Sequence, residues 1–191
     1  MTGGPRIHLV ATLRDEAPWL VEWLAHYRLL GVSGMTLFSN DCADGTDALL
    51  DRLDRMGVVR HLPNPVGPRQ DPQRRAYSRA RALPEIAGAD YVLVVDADEF
   101  AAVRVGRRRL PDLVEACGGA DAISLGWRLM GSAGKRRWRD RPVTRRFRRG
   151  GDLAAPEHGL ATGFKTLFRP DRFDYFGVHR PRFDKDRAAL P

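Results

Sequence analysis

YVLVVDADEF, residues 91–100, is the stretch from which the fold can be read. Five apolar or β-branched residues, Tyr91 to Val95, make a buried strand, and three carboxylates, Asp96, Asp98 and Glu99, follow within four positions. Two carboxylates held about 4 Å apart repel by on the order of 4 kcal/mol at an effective dielectric of 20. Such a cluster calls for a cation. Magnesium or manganese takes oxygen ligands and shares its shell with substrate phosphates, and it neutralises a diphosphate leaving group. The plain alternative is a strand ending in a solvated acidic turn, because an isolated Asp-x-Asp carries little information.

Outward from this run, residues 7–13, 35–39 and 58–62 read as three earlier strands. Helix patterns separate them. In the first, Pro18 lies in the opening turn after Asp15 and Glu16, Leu20, Leu24 and Tyr27 share a face, and Gly31 stops it. The second starts at Thr46, places Leu49, Leu50 and Leu53 on its apolar side and ends near Gly57. A third starts at Asp71 and Pro72 and ends by Pro84. This alternation implies an α/β fold with a mostly parallel sheet covered by helices. Ligands of such sheets bind beyond the carboxyl ends of the strands. Those ends carry Thr12, Arg14, Asp15 and Glu16, then Asn40, Asp41 and Asp44, then Asp96, Asp98 and Glu99. The middle group, FSNDCADGT at 38–46, also reads as a turn and helix cap, and Asp15 and Glu16 as charges facing a helix N-terminus. Capping and nucleotide contact are both open for these residues.

At 191 residues the chain suits one domain, residues 1–191, with a nucleotide-binding half over about 1–100 and an acceptor-side half over about 101–191. The formal charge is +8, and only Lys135, Lys165 and Lys185 of the 32 basic residues are lysines. Arginine's planar fork suits oxyanions, so an anionic partner is expected: nucleotide diphosphate, nucleic acid or anionic lipid. Cys42 and Cys117 stand apart without metal-finger spacing, which points to a reducing cytoplasm. No stretch is long and apolar enough for a membrane span, so the expected location is cytoplasmic, at most peripheral to the inner face of the membrane.

Residues 62–72, rich in proline and glycine, read as a loop. Further on, residues 110–116 suggest a helix, 122–127 a strand and 175–179 a late strand, while the basic, glycine-punctuated 131–152 reads as a mobile loop with little apolar material to pin it.

RDEAPWLVEWLAHYRLLGV (14–32), NDCADGT (40–46), VVDADEF (94–100) and ISLGWRLMGSAG (123–134) together resemble the motif series of family 2-like glycosyltransferases related to glycosyltransferase family 92, across residues 7 to about 179. The resemblance implies a GT-A fold, a nucleotide-sugar donor with UDP favoured over GDP, a Mn2+ or Mg2+ ion, a glycan or other hydroxyl acceptor and inversion at the anomeric carbon. Asp96 and Asp98 match the Asp-x-Asp pair, with Asp98 the more direct metal ligand. Glu99 matches the acidic residue after it. Asn40, Asp41 and Asp44 match the polar motif after the second strand, and Arg14, Asp15 and Glu16 match a basic-Asn-Glu triplet. His179, in FGVHRPRF, matches a late His-x-Pro element that completes the metal shell. The sequence departs from the pattern at Asp15 (usually Asn), Cys42 (usually Ser), Lys135 (often His) and Arg145 (commonly acidic), which bears on acceptor identity more than on donor chemistry. The sequence ends early against this pattern, at Pro191, and a C-terminal portion present in longer relatives is expected to be missing. Cell-envelope or extracellular polysaccharide synthesis is the setting the resemblance suggests.

An inverting displacement needs a general base, for which a carboxylate is the natural choice. Glu99, Asp140, Glu157 and Asp184 are candidates, with Glu99 and Asp184 taken forward. Arg74, Arg75, Arg79 and Arg81, and Arg145, Arg146, Arg148 and Arg149, read mainly as solvated charge, with one or two reaching the diphosphate and Arg75 the first choice. Trp127 is expected in the core and Trp138 against a sugar. A nucleotidyltransferase of similar fold is the nearest rival, although ATLRDEAPW lacks the glycine-rich phosphate loop after the first strand. A basic nucleic-acid-binding module is the rival from another class; it leaves the acidic strand edge unexplained, so no nucleic-acid partner is expected.

Overall fold

The computed structural model describes residues 4–137, 139–151 and 163–183. In chain order the elements are β1 (Ile7–Leu13), α1 (Ala17–Leu29), β2 (Val32–Ser39), α2 (Thr46–Arg55), β3 (Arg60–Pro63), α3 (Pro72–Arg81), α4 (Pro84–Ala87), β4 (Tyr91–Val94), α5 (Leu110–Ala116), β5 (Ala122–Gly126), β6 (Met130–Gly131), α6 (Val143–Arg146), β7 (Arg149–Gly150) and β8 (Phe164–Phe168). One six-stranded sheet has the order β3-β2-β1-β4-β8-β5. Strands β3, β2, β1 and β4 are parallel, and β8 runs antiparallel between β4 and β5. This sheet draws on both halves of the chain.

Period-two alternation in β1 feeds two cores. Ile7, Leu9, Ala11 and Leu13 join Leu20, Trp23, Tyr27 and Leu50 on one face. Val10 points the other way, with Phe38, Ala76, Tyr77, Val92 and Phe168. Helix α3 owes its start to Asp71, whose carboxylate accepts from the amides of Gln73 and Arg74.

Two expectations change. The late strand at 175–179 does not form, and only an isolated antiparallel bridge joins Tyr175 to Arg182. Pro181 cannot donate to a ladder, and the chain folds so tightly at Gly177 that a Cβ there would lie 2.2 Å from the Arg180 carbonyl oxygen. The basic loop carries structure instead: β6 pairs with β7, and the Glu22 carboxylate on α1 accepts from the amides of Val143 and Thr144 and from the Thr144 hydroxyl, at 2.5, 3.1 and 2.7 Å. A charged helix cap does the pinning that apolar side chains do not. Among the described residues no helix is long and apolar enough to cross a membrane.

Candidate functional site

Strand order reverses at β1, which lies between β2 and β4. The carboxyl ends of β1 and β4 therefore splay apart into a crevice. A cleft of about 450 Å³ opens there, lined by Thr12, Leu13, Arg14 and Glu16 after β1, Asn40 and Asp41 after β2, Val66, Asp71, Pro72 and Gln73 before and in α3, and Asp96, Ala97 and Asp98 after β4.

The acidic run is held from both sides. From α1, the Trp23 indole and the Tyr27 hydroxyl both donate to the Glu99 carbonyl, at 2.9 and 3.1 Å, the Ala101 amide donates to the Tyr27 hydroxyl, and His26 Nε2 lies 2.8 Å from the Ala101 carbonyl. From β8, Lys165 Nζ donates to Asp96 Oδ2 at 2.7 Å and lies 3.6 Å from Glu99 Oε2. Asp96 Oδ1 accepts from Gln73 Nε2 at 2.9 Å. Glu99 turns inward, where Oε2 accepts the Asp96 amide at 2.9 Å. Burial pushes its carboxyl up to about 7, with Asp96 and Asp98 adding to the rise and the Asp96 amide and Lys165 opposing it. Asp98 is exposed. It lines the cleft, and it has no hydrogen bond or ion pair among the described residues.

The β1 and β2 loops use their carboxylates differently. Asp15, in the left-handed region at φ 59°, accepts the Ala43 amide at 2.6 Å. Asp44 accepts the Ala17 amide at 3.0 Å and both the amide and the hydroxyl of Thr46 at 2.9 and 2.6 Å, and the Thr46 hydroxyl accepts the Glu16 amide. Both carboxylates staple one loop to the other, and neither lines the cleft. Glu16 does line it; Oε2 accepts the Trp19 indole at 2.5 Å, and burial raises its carboxyl while Asp98, Asp44 and Asp15 reinforce the rise. Asn40 is buried, donating to the Leu13 carbonyl and accepting from Asn64. Arg75 is exposed on α3 and lines neither the cleft nor the groove described below.

These placements separate the expected metal ligands. Among the described residues no three His, Cys, Asp or Glu side chains are grouped to hold a metal ion. Asp96 has both oxygens engaged by Gln73 and Lys165. His179 is exposed and packs edge-on against Trp127, ring centres 5.4 Å apart, because the Thr166 hydroxyl takes the His179 carbonyl and fixes that segment beside β8. The donor set fits an ion that rests on Asp98 and fills its shell from phosphate oxygens; it does not fit an Asp96–Asp98–His179 cage.

Trp127 is half-buried rather than in the core. Its indole N–H has no partner among the described residues, and its ring needs Gly163 alongside, where a Cβ would meet it at 2.0 Å. It lies in a second, larger groove of about 1770 Å³ that shares Asp71 and Gln73 with the cleft and runs past Arg81, Arg180 and Arg182. Asp140 is exposed in the basic loop. Asp184, Glu157 and Trp138 lie outside the described residues.

The sequence reading missed β8 and with it Lys165. A lysine inside FKTLF reads as an exposed position, and the aromatic residues around it were the available signal. Trp23 and His26 were also missed as anchors of the acidic run; their spacing of three, with Tyr27 adjacent, was the clue.

A parallel sheet with its crevice at β1 and β4, an antiparallel strand inserted beyond β4 and an acidic run at the crevice define a GT-A-type fold of the nucleotide-sugar transferase class. Residues 1–349 of S. aureus TarS share it, with a TM-score of 0.50 at 12% identity over 91% of this chain and 50% of that one. The sequence profile of glycosyltransferase family 92 matches residues 8–186, and the chain belongs to that family. The same TarS segment in complex with UDP gives a TM-score of 0.47, with 12% identity and 91% and 50% coverage. Glucosyl-3-phosphoglycerate synthase from Mycobacterium tuberculosis, in complex with Mn2+, UDP and glucosyl-3-phosphoglycerate, gives 0.35, with 20% identity over 50% of this chain and 34% of that one. The chain spans half or less of the length of these structures. No curated protein sequence matches it.

Proposed function

We propose that the chain transfers a sugar from a nucleotide-sugar donor, with UDP the favoured nucleotide, to an acceptor hydroxyl. The observation that carries this reading is Asp98: an exposed carboxylate without a partner among the described residues, at the carboxyl end of β4, in a crevice at the strand-order reversal, in a chain whose family is a glycosyltransferase family. Arg14, Glu16, Asp41 and Gln73 surround the space a nucleotide diphosphate would fill. A divalent ion, Mn2+ or Mg2+, fits on Asp98 and would supply the positive charge that a departing diphosphate requires. Asp96 and Glu99, held by Lys165 and the α1 anchors, keep the run rigid so that Asp98 need not be ordered on binding.

The acceptor enters along the groove that meets the cleft at Asp71 and Gln73, past Trp127, whose indole face suits a sugar ring. Inversion belongs to the same proposal. Glu99 is not the base in this reading, because its carboxyl faces the Asp96 amide and not the cleft; Asp184 remains a candidate for that role. A cytoplasmic location, at most peripheral to the membrane, is part of the reading.

Calorimetric titration with UDP and GDP, with and without Mn2+, tests it in the wild type and in Asp98→Ala. Metal-dependent binding of one nucleotide, lost in the variant, is the expected result, and turnover of the matching nucleotide sugars then gives the anomeric outcome by NMR. A folded protein that binds neither nucleotide under any metal condition would overturn the donor assignment.

A further inference from the structure

Lys165 is 2% exposed. An ammonium is not taken out of water without compensation, so its three partners among the described residues explain its position: Asp96 Oδ2 at 2.7 Å, the Val178 carbonyl at 3.0 Å and Glu99 Oε2 at 3.6 Å. The Trp127 ring closes a further side, with its centre 6.0 Å from Nζ. The amine is fixed by β8 beneath it and by residues 178–179, which Thr166 ties to the same strand. It lines neither the cleft nor the larger groove, so its influence on the site runs through Asp96 and Glu99.

We propose that Lys165 is a built-in countercation of the acidic run, a positioning residue that keeps Asp96 and Glu99 out of any metal shell and leaves Asp98 as the one carboxylate of the run open to a divalent ion. A metal on Asp96 would sit within bonding distance of an oxygen that already faces an ammonium, and two cations so close repel strongly in a half-buried site. Without the ammonium, the charge of Asp96 would be left uncompensated beside Asp98, and neighbouring carboxylates of that kind are what a hard divalent cation binds. The lysine therefore lowers the protein's own affinity for metal and makes tight metal binding depend on the diphosphate that arrives with it.

This inference rests on the donor-site reading for its biological use, but its test needs no nucleotide, so the two can fail separately. Mn2+ is titrated into the purified chain and the free-ion EPR signal is read, with circular dichroism confirming folding. Wild type is expected to bind Mn2+ weakly. Lys165→Met is expected to bind it more tightly by on the order of tenfold, the scale on which groups around a metal ligand act, and Lys165→Arg to return to the wild-type value. A merely structural role for Lys165 would weaken metal binding when removed, not strengthen it. Unchanged or weaker Mn2+ binding in a folded Lys165→Met overturns the proposal. Should that variant not fold, Asp96→Asn and Asp98→Asn in the wild-type background decide instead. Loss of Mn2+ binding in Asp98→Asn alone supports the assignment, and equal loss in both overturns it.

Discussion

Two sets of carboxylates sit at the carboxyl edge of one parallel sheet, and their side chains do opposite work. Asp15 and Asp44, after β1 and β2, each accept a backbone amide from the other's segment, Ala43 and Ala17. Asp96 and Glu99, after β4, sit against a buried lysine, and Asp98 beside them is exposed in the cleft with no partner among the described residues. All occupy the same topological edge, at the carboxyl ends of parallel strands. What distinguishes them is the supply of donors nearby. The β1 and β2 loops are close enough to satisfy one another, whereas Asp98 lies past the end of β4 and accepts from no amide among the described residues. A carboxylate at a strand end is available for chemistry only when the fold offers it no N–H.

The comparison breaks most visibly at Asp98. Asp98→Ala is expected to lower turnover with the cognate nucleotide sugar by about a hundredfold or more, the scale of losing one group that balances developing charge, with melting temperature unchanged; steady-state kinetics and thermal unfolding together check it. A smaller change is expected from the α1 anchors. Replacing both Trp23 and Tyr27 by Phe leaves the Glu99 carbonyl without its two donors, at a cost of about 1–3 kcal/mol. Urea denaturation should show the double variant less stable than either single one, and metal-dependent nucleotide affinity should fall with it.

Glu99 sharpens the contrast through pH. Its carboxyl keeps a proton to about 7 in the fold, against an ordinary value of 4.5. Between those values the folded chain binds more protons than the unfolded one. Its contribution to stability is therefore full below 4.5 and is lost as pH rises through about 7. Denaturation midpoints in EDTA at pH 5 and pH 8 should differ more in the wild type than in Glu99→Gln; an equal difference in both would assign the pH dependence to another group. The smallest effect belongs to the stapled set. Asp44→Ala removes the acceptor of the Thr46 amide and hydroxyl at the start of α2 and the tie to Ala17, costing about 1 kcal/mol, while nucleotide affinity stays within about twofold. Abolished binding in a folded Asp44→Ala would show that both carboxylate sets serve the ligand.

Much of this architecture was legible in the linear chain. The apolar runs of β1 and β4, the Pro18 and Gly31 punctuation of α1 and the Asp71-Pro72 start of α3 each obey local rules, so their positions follow from residues close in sequence. The antiparallel strand β8 was not legible, because Lys165 interrupts its apolar pattern and its partners Asp96 and Glu99 lie 69 and 66 positions earlier. The place of Arg75 was not legible for a related reason: helical position, not charge, decides which face an arginine presents, and α3 turns Gln73 to the cleft and leaves Arg75 outside its lining.

The sequence by itself determined that a buried strand delivers an acidic run to the edge of a parallel sheet, since hydrophobic period and turn residues are local properties. Only the tertiary structure decided which of those acids is free. That choice depends on a lysine, an indole and a tyrosine brought in from distant elements, and a carboxylate's chemistry is set by the charges and donors within a few ångströms of it, whatever their separation along the chain.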